Sequence, residues 1–267
     1  MTQSHCLCVI FLCLVVGLEC KSQIYYESEI GESLQAGQFR SADAVAVDAN
    51  GNIYVVDAVS HTINKFDASG TPLLQWGGYG SEDGQFRNPK GVAVDANGHI
   101  YVADADNFRI QKFSSIGTFI AKWGSQGSSE GQFTGPSDIA IDASGNIYVT
   151  DPSSNRIQKF SSTGTYITSR GGTGSDDGRF DYPRAIAVDA TGNVYVADSY
   201  NHRIQKFSSN LIFITKWGTE GTANGELYYP MDIAVDANGN VYVTENARVQ
   251  KFSSTGSFIT KWGSQGS

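Results

Sequence analysis

The sequence predicts an all-β fold, a β-propeller of four-stranded antiparallel blades, and three observations carry that prediction. A unit of 47 residues recurs five times. Glycine and tyrosine are abundant, at 30 and 13 of 267 residues, while only 17% of residues are charged, which suits many short strands joined by tight turns. Within each unit the first segment is small and apolar, the next is apolar on both faces, and the last alternates apolar with polar. That gradient is expected of sheets packed face to face around an axis.

The repeat is anchored by "GQF" at Gly37, Gly84 and Gly131, "GRF" at Gly178 and "GEL" at Gly225, each 47 residues after the last. Asp48, Asp95, Asp142, Asp189 and Asp236 keep the interval, as do Tyr54, Tyr101, Tyr148, Tyr195 and Tyr242. In the second unit the first strand is "GVAV" (Gly91 to Val94), followed by a "DANG" hairpin signal in which Gly98 supplies the positive φ such a turn needs. "IYVAD" has no polar face and must be covered on both sides. "RIQKF" leads through "SSIGT" to "FIAKWG", whose alternation with Lys122 marks an outer, half-exposed strand. A β-sandwich would leave a polar face on its central strands, and these have none. The blades are expected at roughly residues 41–80, 88–127, 135–174, 182–221 and 229–265.

"GQFRNPKGVAVDANGHIYVADADNFRIQKFSSIGTFIAKWG" (Gly84 to Gly124) resembles the NHL repeat, whose pattern is GxF-x-x-P, G-I-A-V-D, G-N-I-Y-V-A-D, N-x-R-I-Q-x-F and a closing W-G. The resemblance covers nearly everything after residue 23 and implies a six-bladed propeller. Residues 24–30 align with the end of a repeat and are expected to form the outer strand of a closing blade built from both termini. The chain stops at "WGSQGS", where the next "GQF" should begin, so a further repeat after Ser267 is expected, with a five-bladed ring and a spare strand as the alternative. A closed ring would be a monomer.

"CLCVIFLCLVVGL" (Cys6 to Leu18) is too short to span a bilayer and matches the apolar core of a signal peptide, placed at residues 1–20. A secreted protein is expected, with an uncleaved signal anchor as the alternative. All four cysteines (Cys6, Cys8, Cys13, Cys20) lie in this leader, so cleavage would leave a chain without disulfides. The formal charge of −8 disfavours a nucleic-acid partner.

"D-x-x-N-x-R-I" recurs as Asp104 with Arg109, Asp151 with Arg156, and Asp198 with Arg203. One copy per blade reads as a structural pair, not a catalytic one. The first unit has Thr62 in place of Arg, and the last is two residues shorter, with Glu245 and Arg248. Extracellular propellers similar to this family include a peptidyl-hydroxyglycine amidating lyase with a histidine-ligated zinc. Here only His61, His99 and His202 lie beyond the leader. His61 and His202 share one loop position while His99 falls in another, so the spacing provides no convergent zinc set. "DANGN" lacks the glycine and glutamate of a calcium loop. No nonrepeated acid cluster is evident for a gluconolactonase-like metal. Neither a metal nor a cofactor is expected.

Function in a repeat array is expected where repeats differ. The most divergent positions precede the first strand: "RSAD", "RNPK", "TGPS", "DYPR" and "YYPM". They supply Arg40, Arg87, Lys90, Arg184, Tyr182, Tyr228 and Tyr229, a basic and aromatic set suited to recognition. Tyr200 and His202 join them as exposed loop residues. Arg170 stands where other units have Trp76, Trp123, Trp217 and Trp262, and Leu211 replaces a turn glycine, with Asn210 expected to take the left-handed conformation. The sequence therefore predicts an extracellular scaffold binding a protein or glycan. A metal-dependent lyase or hydrolase is the competing reading.

Overall fold

The computed structural model describes residues 37–264, and the leader and the 24–30 segment lie outside them. Two compact units divide the described residues, with the boundary between Trp123 and Gly124. The first unit holds two four-stranded antiparallel sheets. Blade one comprises β1 (Ala42–Val47), β2 (Ile53–Asp57), β3 (Thr62–Phe66) and β4 (Pro72–Gly77). Blade two comprises β5 (Pro89–Val94), β6 (Ile100–Asp104), β7 (Arg109–Phe113) and β8 (Phe119–Trp123).

The second unit holds three such sheets. Blade three has β9 (Ile139–Ile141), β10 (Ile147–Asp151), β11 (Arg156–Phe160) and β12 (Tyr166–Gly171). Blade four has β13 (Pro183–Val188), β14 (Val194–Asp198), β15 (Arg203–Phe207) and β16 (Phe213–Trp217). Blade five has β17 (Asp232–Val235), β18 (Val241–Glu245), β19 (Arg248–Phe252) and β20 (Phe258–Trp262). No helix among the described residues is long and apolar enough to cross a membrane.

Burial follows the patterning of the strands. β6, β10 and β14 are buried at every residue, while β8 and β16 alternate half-buried with exposed. Successive sheets within a unit pack face to face. In the first unit Tyr54, Val56 and Ile63 of blade one meet Phe86, Val92, Ile100, Val102 and Phe113 at blade two. In the second, Tyr195, Ala197 and Ile204 of blade four meet Ile233, Val241, Val243 and Phe252 of blade five. Burying an aliphatic or aromatic side chain in such a layer stabilises by about 1.5–3 kcal/mol.

The recurring turn aspartate closes the first hairpin from within. In the "DANG" turn of blade two, Asp95 Oδ1 accepts the N–H groups of Asn97 and His99, and Oδ2 accepts the Tyr101 hydroxyl. Burial, reinforced by the Asp95 charge, pushes the Tyr101 phenol well above its usual range. Lys112 sits over the Tyr101 ring at 5.0 Å. The turn carboxylate is thus occupied by its own turn and tyrosine, a structural use of residues that superficially resemble a calcium loop.

One turn departs from expectation. Leu211 itself adopts the left-handed conformation (φ 58°), not Asn210, and its side chain is buried beside Phe180 and Phe207. The cost of a left-handed non-glycine residue is of order 1–2 kcal/mol, and burying a leucine offsets it. The closing glycine of each repeat has a different reason. At Gly218 (φ 96°) an added Cβ would stand 2.9 Å from the His202 carbonyl oxygen and 2.7 Å from Leu227 Cδ1.

Candidate functional site: a tyrosine platform on stitched loops

The loop between the second and third strands of a blade is tied to the linker that enters the same blade. In blade four, Asp198 is fully buried and accepts the Asp181 N–H at 2.8 Å, Arg203 Nε at 2.7 Å and Gln205 Nε2 at 3.0 Å. Arg203 then forks onto the carbonyls of Ser175, Asp176 and Arg179 in the linker. Gln205 donates to the Arg179 carbonyl and accepts the Gly178 N–H. Burial pushes the Asp198 carboxyl up, against the pull of these donors. Blade two repeats the arrangement with Asp104 and Arg109 (2.7 Å), and blade three with Asp151 and Arg156 (3.1 Å). Every guanidinium in this set is committed to carbonyls and carboxylates of the scaffold, and the carboxylates are enclosed.

Directly above this stitch, the loops take a tight left-handed bend twice. Asn155 and His202 lie at the ends of their loops with φ of 50° and 53°, and Tyr182 and Tyr229, where the linkers reach the next blades, have φ of 57° and 49°. Asn155 Oδ1 accepts the Tyr182 N–H at 2.7 Å, and His202 Nδ1 accepts the Tyr229 N–H at 3.2 Å. In the first unit His61 Nδ1 accepts the Asn88 N–H at 3.1 Å in the same way. A side chain on blades one, three and four therefore caps a strained amide on the blade that follows.

These caps assemble five rings in the second unit. Tyr182 stacks on Tyr200 with centroids 4.9 Å apart and planes 14° apart, and Tyr200 meets Tyr229 edge-on at 5.6 Å. Tyr229 is perpendicular to Tyr228 at 4.7 Å, and His202 lies 4.4 Å from Tyr229 and 5.6 Å from Tyr228. The four tyrosines are 38–53% exposed, whereas His202 is only 9% exposed. His202 is thus not an exposed contact residue: it lies beneath the platform and holds it, because its ring nitrogen is needed by the Tyr229 amide. Replacing His202 by alanine is expected to cost about 1 kcal/mol through the lost cap. Asparagine, which performs this role at Asn155 and tolerates the left-handed region, is expected to stay near wild type. Urea melts of His202→Ala and His202→Asn compare the two.

The basic residues divide differently. Arg184 is exposed on β13, and Arg40 is exposed with its N–H bound to Asp57 Oδ2 at 2.9 Å. Arg87 lies over the Tyr79 ring at 5.1 Å, and Tyr79 meets His61 at 5.1 Å. Lys90 is not a free recognition cation, since its Nζ is paired with Asp43 at 3.1 Å across the two blades of the first unit. Arg40, Arg87 and Lys90 belong to the first unit, and Tyr182, Arg184, Tyr200, His202, Tyr228 and Tyr229 to the second.

One pair of acids is new. Asp138 immediately precedes the inner strand of blade three and Asp232 begins that of blade five, at positions where the other repeats have Ala44, Gly91 and Ala185. Asp138 Oδ2 accepts the Ile186 N–H of β13 at 2.8 Å, and Oδ1 accepts the Ile139 N–H at 2.8 Å. Enclosure among the inner strands, with repulsion from Asp232, pushes the Asp138 carboxyl up to about 7. Two carboxylates are not a full ligand set: among the described residues no three His, Cys, Asp or Glu side chains converge to hold a metal ion. His99 Nδ1 is engaged by Asp95 at 2.9 Å in a hairpin turn, away from the loop that carries His61.

Four-stranded antiparallel sheets repeated at a fixed interval, each stitched to its entering linker, define a β-propeller repeat protein. The model of the NHL repeat matches residues 86–113, 133–160 and 180–207, so three of the five repeats of this chain are NHL repeats. Solved structures of similar fold include virginiamycin B lyase from Staphylococcus aureus, at 14% identity and a TM-score of 0.66, covering 85% of this chain and 71% of that one. A gluconolactonase from Xanthomonas campestris is similar at 15% identity and a TM-score of 0.60, covering 82% and 74%. A chain of a nidogen/laminin complex is similar at 17% identity and a TM-score of 0.66, covering 84% and 80%. No protein of curated function matches the chain by sequence. At these identities the likeness establishes the fold, which enzymes and a binding protein share.

Proposed function

We propose that this chain is an extracellular binding module whose tyrosine platform engages a protein or glycan partner. The observation that carries the reading is the contiguous exposed set of Tyr182, Tyr200, Tyr228 and Tyr229, fixed from below by His202. Rigid aromatic side chains supply contact area at low conformational cost, which is why tyrosine is favoured where proteins recognise ligands. The apolar leader supports placement outside the cell, and a likeness to a chain of a nidogen/laminin complex shows the fold in a binding context.

Replacing Tyr200 and Tyr229 together by alanine is expected to weaken partner capture from extracellular fluid at least tenfold with little change in melting temperature. Both side chains are exposed, so their removal opens no cavity. Unchanged capture would refute the assignment. Stoichiometric metal in chelator-free protein, lost on Asp138→Asn, would instead establish the competing reading of a metal-dependent lyase or hydrolase.

A further inference from the structure

The chemistry of the platform narrows the partner, and this step rests on the binding role proposed above. We infer that the platform binds a neutral glycan, with pyranose rings lying against the tyrosines. The exposed platform surface is four phenols, and among the described residues none of their hydroxyls has a hydrogen-bond partner. This distinguishes them from Tyr54, Tyr101, Tyr148, Tyr195 and Tyr242, whose hydroxyls are all held by turn aspartates. A ligand that covers the platform must meet ring surface and free hydroxyls together.

An apolar protein surface meets only half of that requirement. Each phenol hydroxyl buried without a partner costs about 1–3 kcal/mol, and four lie within one patch. A saccharide satisfies both, because its C–H face rests on a ring while its peripheral hydroxyls donate to and accept from the phenols. The geometry suits this. A parallel pair, Tyr182 and Tyr200 at 14°, adjoins two near-perpendicular contacts, Tyr200 with Tyr229 at 88° and Tyr228 with Tyr229 at 81°. Ring surface and hydroxyl edges are therefore presented side by side. Charge favours a neutral ligand. No lysine or arginine contributes to the ring cluster. The one other candidate residue in this unit, Arg184, is set on a strand two residues beyond Tyr182.

The test titrates the full chain with cellohexaose, laminarihexaose and N-acetylchitohexaose by calorimetry and ligand-observed NMR, with a heparin hexasaccharide for comparison. Saturable binding of at least one neutral oligosaccharide is expected, weakened at least tenfold in Tyr200→Ala and in Tyr229→Ala while both variants melt as wild type. Binding of heparin alone, or neutral-glycan binding unaffected by either variant, overturns the inference. Failure of all three neutral glycans overturns it too. If a protein is then captured through the same tyrosines, the glycan assignment falls and the binding role stands. If neither glycan nor protein depends on them, both fall.

Discussion

Replacing Arg203 by alanine should lower stability by about 3–5 kcal/mol, the scale for removing one member of a buried ion pair. Asp198 is fully enclosed and Arg203 is 6% exposed, so water cannot substitute for the guanidinium. The loss has two parts. Asp198 keeps a charge that burial already disfavours, and the carbonyls of Ser175, Asp176 and Arg179 lose the donors that fix the linker. Lysine retains the charge but not the fork and should fall between the two. Against a typical total stability of about 5–15 kcal/mol, Arg203→Ala should unfold at markedly lower urea concentration. A midpoint unchanged from wild type would show that the linker is held by something other than this fork.

The acid pair on the inner strands should produce an effect of opposite sign. Asp138 holds its proton up to about 7 in the folded chain, whereas an aspartate in the unfolded chain releases it near pH 4. Between those values the folded state binds the extra proton, so stability falls as pH rises through the window and levels off above it. Asp232→Asn removes the repulsion while preserving an oxygen that can accept the Ile233 N–H, as Asp232 Oδ1 does at 2.8 Å. The variant should be more stable than wild type at pH 8, where Asp138 ionises beside Asp232, and nearly equal to it at pH 4, where Asp138 is protonated. Thermal melts across pH 4–9 read this directly. A variant less stable at pH 8 would mean that the carboxylate does useful work in its ionised form.

The repeat interval exposed the blades because each strand type has a distinct burial requirement, which leaves its own residue pattern. Tyr182, Tyr200, Tyr228 and Tyr229 were also visible as departures from that pattern. Their contact was not, since it depends on left-handed bends at Asn155, Tyr182, His202 and Tyr229 that few non-glycine residues adopt. The burial of His202 escaped for the same reason: a loop histidine reads as exposed until the next blade's amide is seen above it. Lys90 looked free because Asp43 lies a full repeat earlier, at a separation where only blade packing creates neighbours. Asp138 and Asp232 were hidden among small residues, although an acid at an alanine position in two of five repeats was a usable signal. Leu211 followed no local rule, because core burial outweighed turn preference.

The shortened loop of blade five shows how such arrays can diverge in length. Glu245 replaces the recurring aspartate, and Arg248 follows after three residues instead of five. Yet Glu245 Oε2 still accepts the Tyr228 N–H at 2.8 Å, and Oε1 still accepts Arg248 Nε at 2.9 Å. One additional methylene compensates for two deleted residues. After duplication, a copy that lost part of this loop could be rescued by a single Asp-to-Glu change, without any adjustment elsewhere in the sheet. Indels in this segment are therefore a shallow barrier to drift, and the interval by which such repeats are recognised can decay while the joint between neighbouring copies persists.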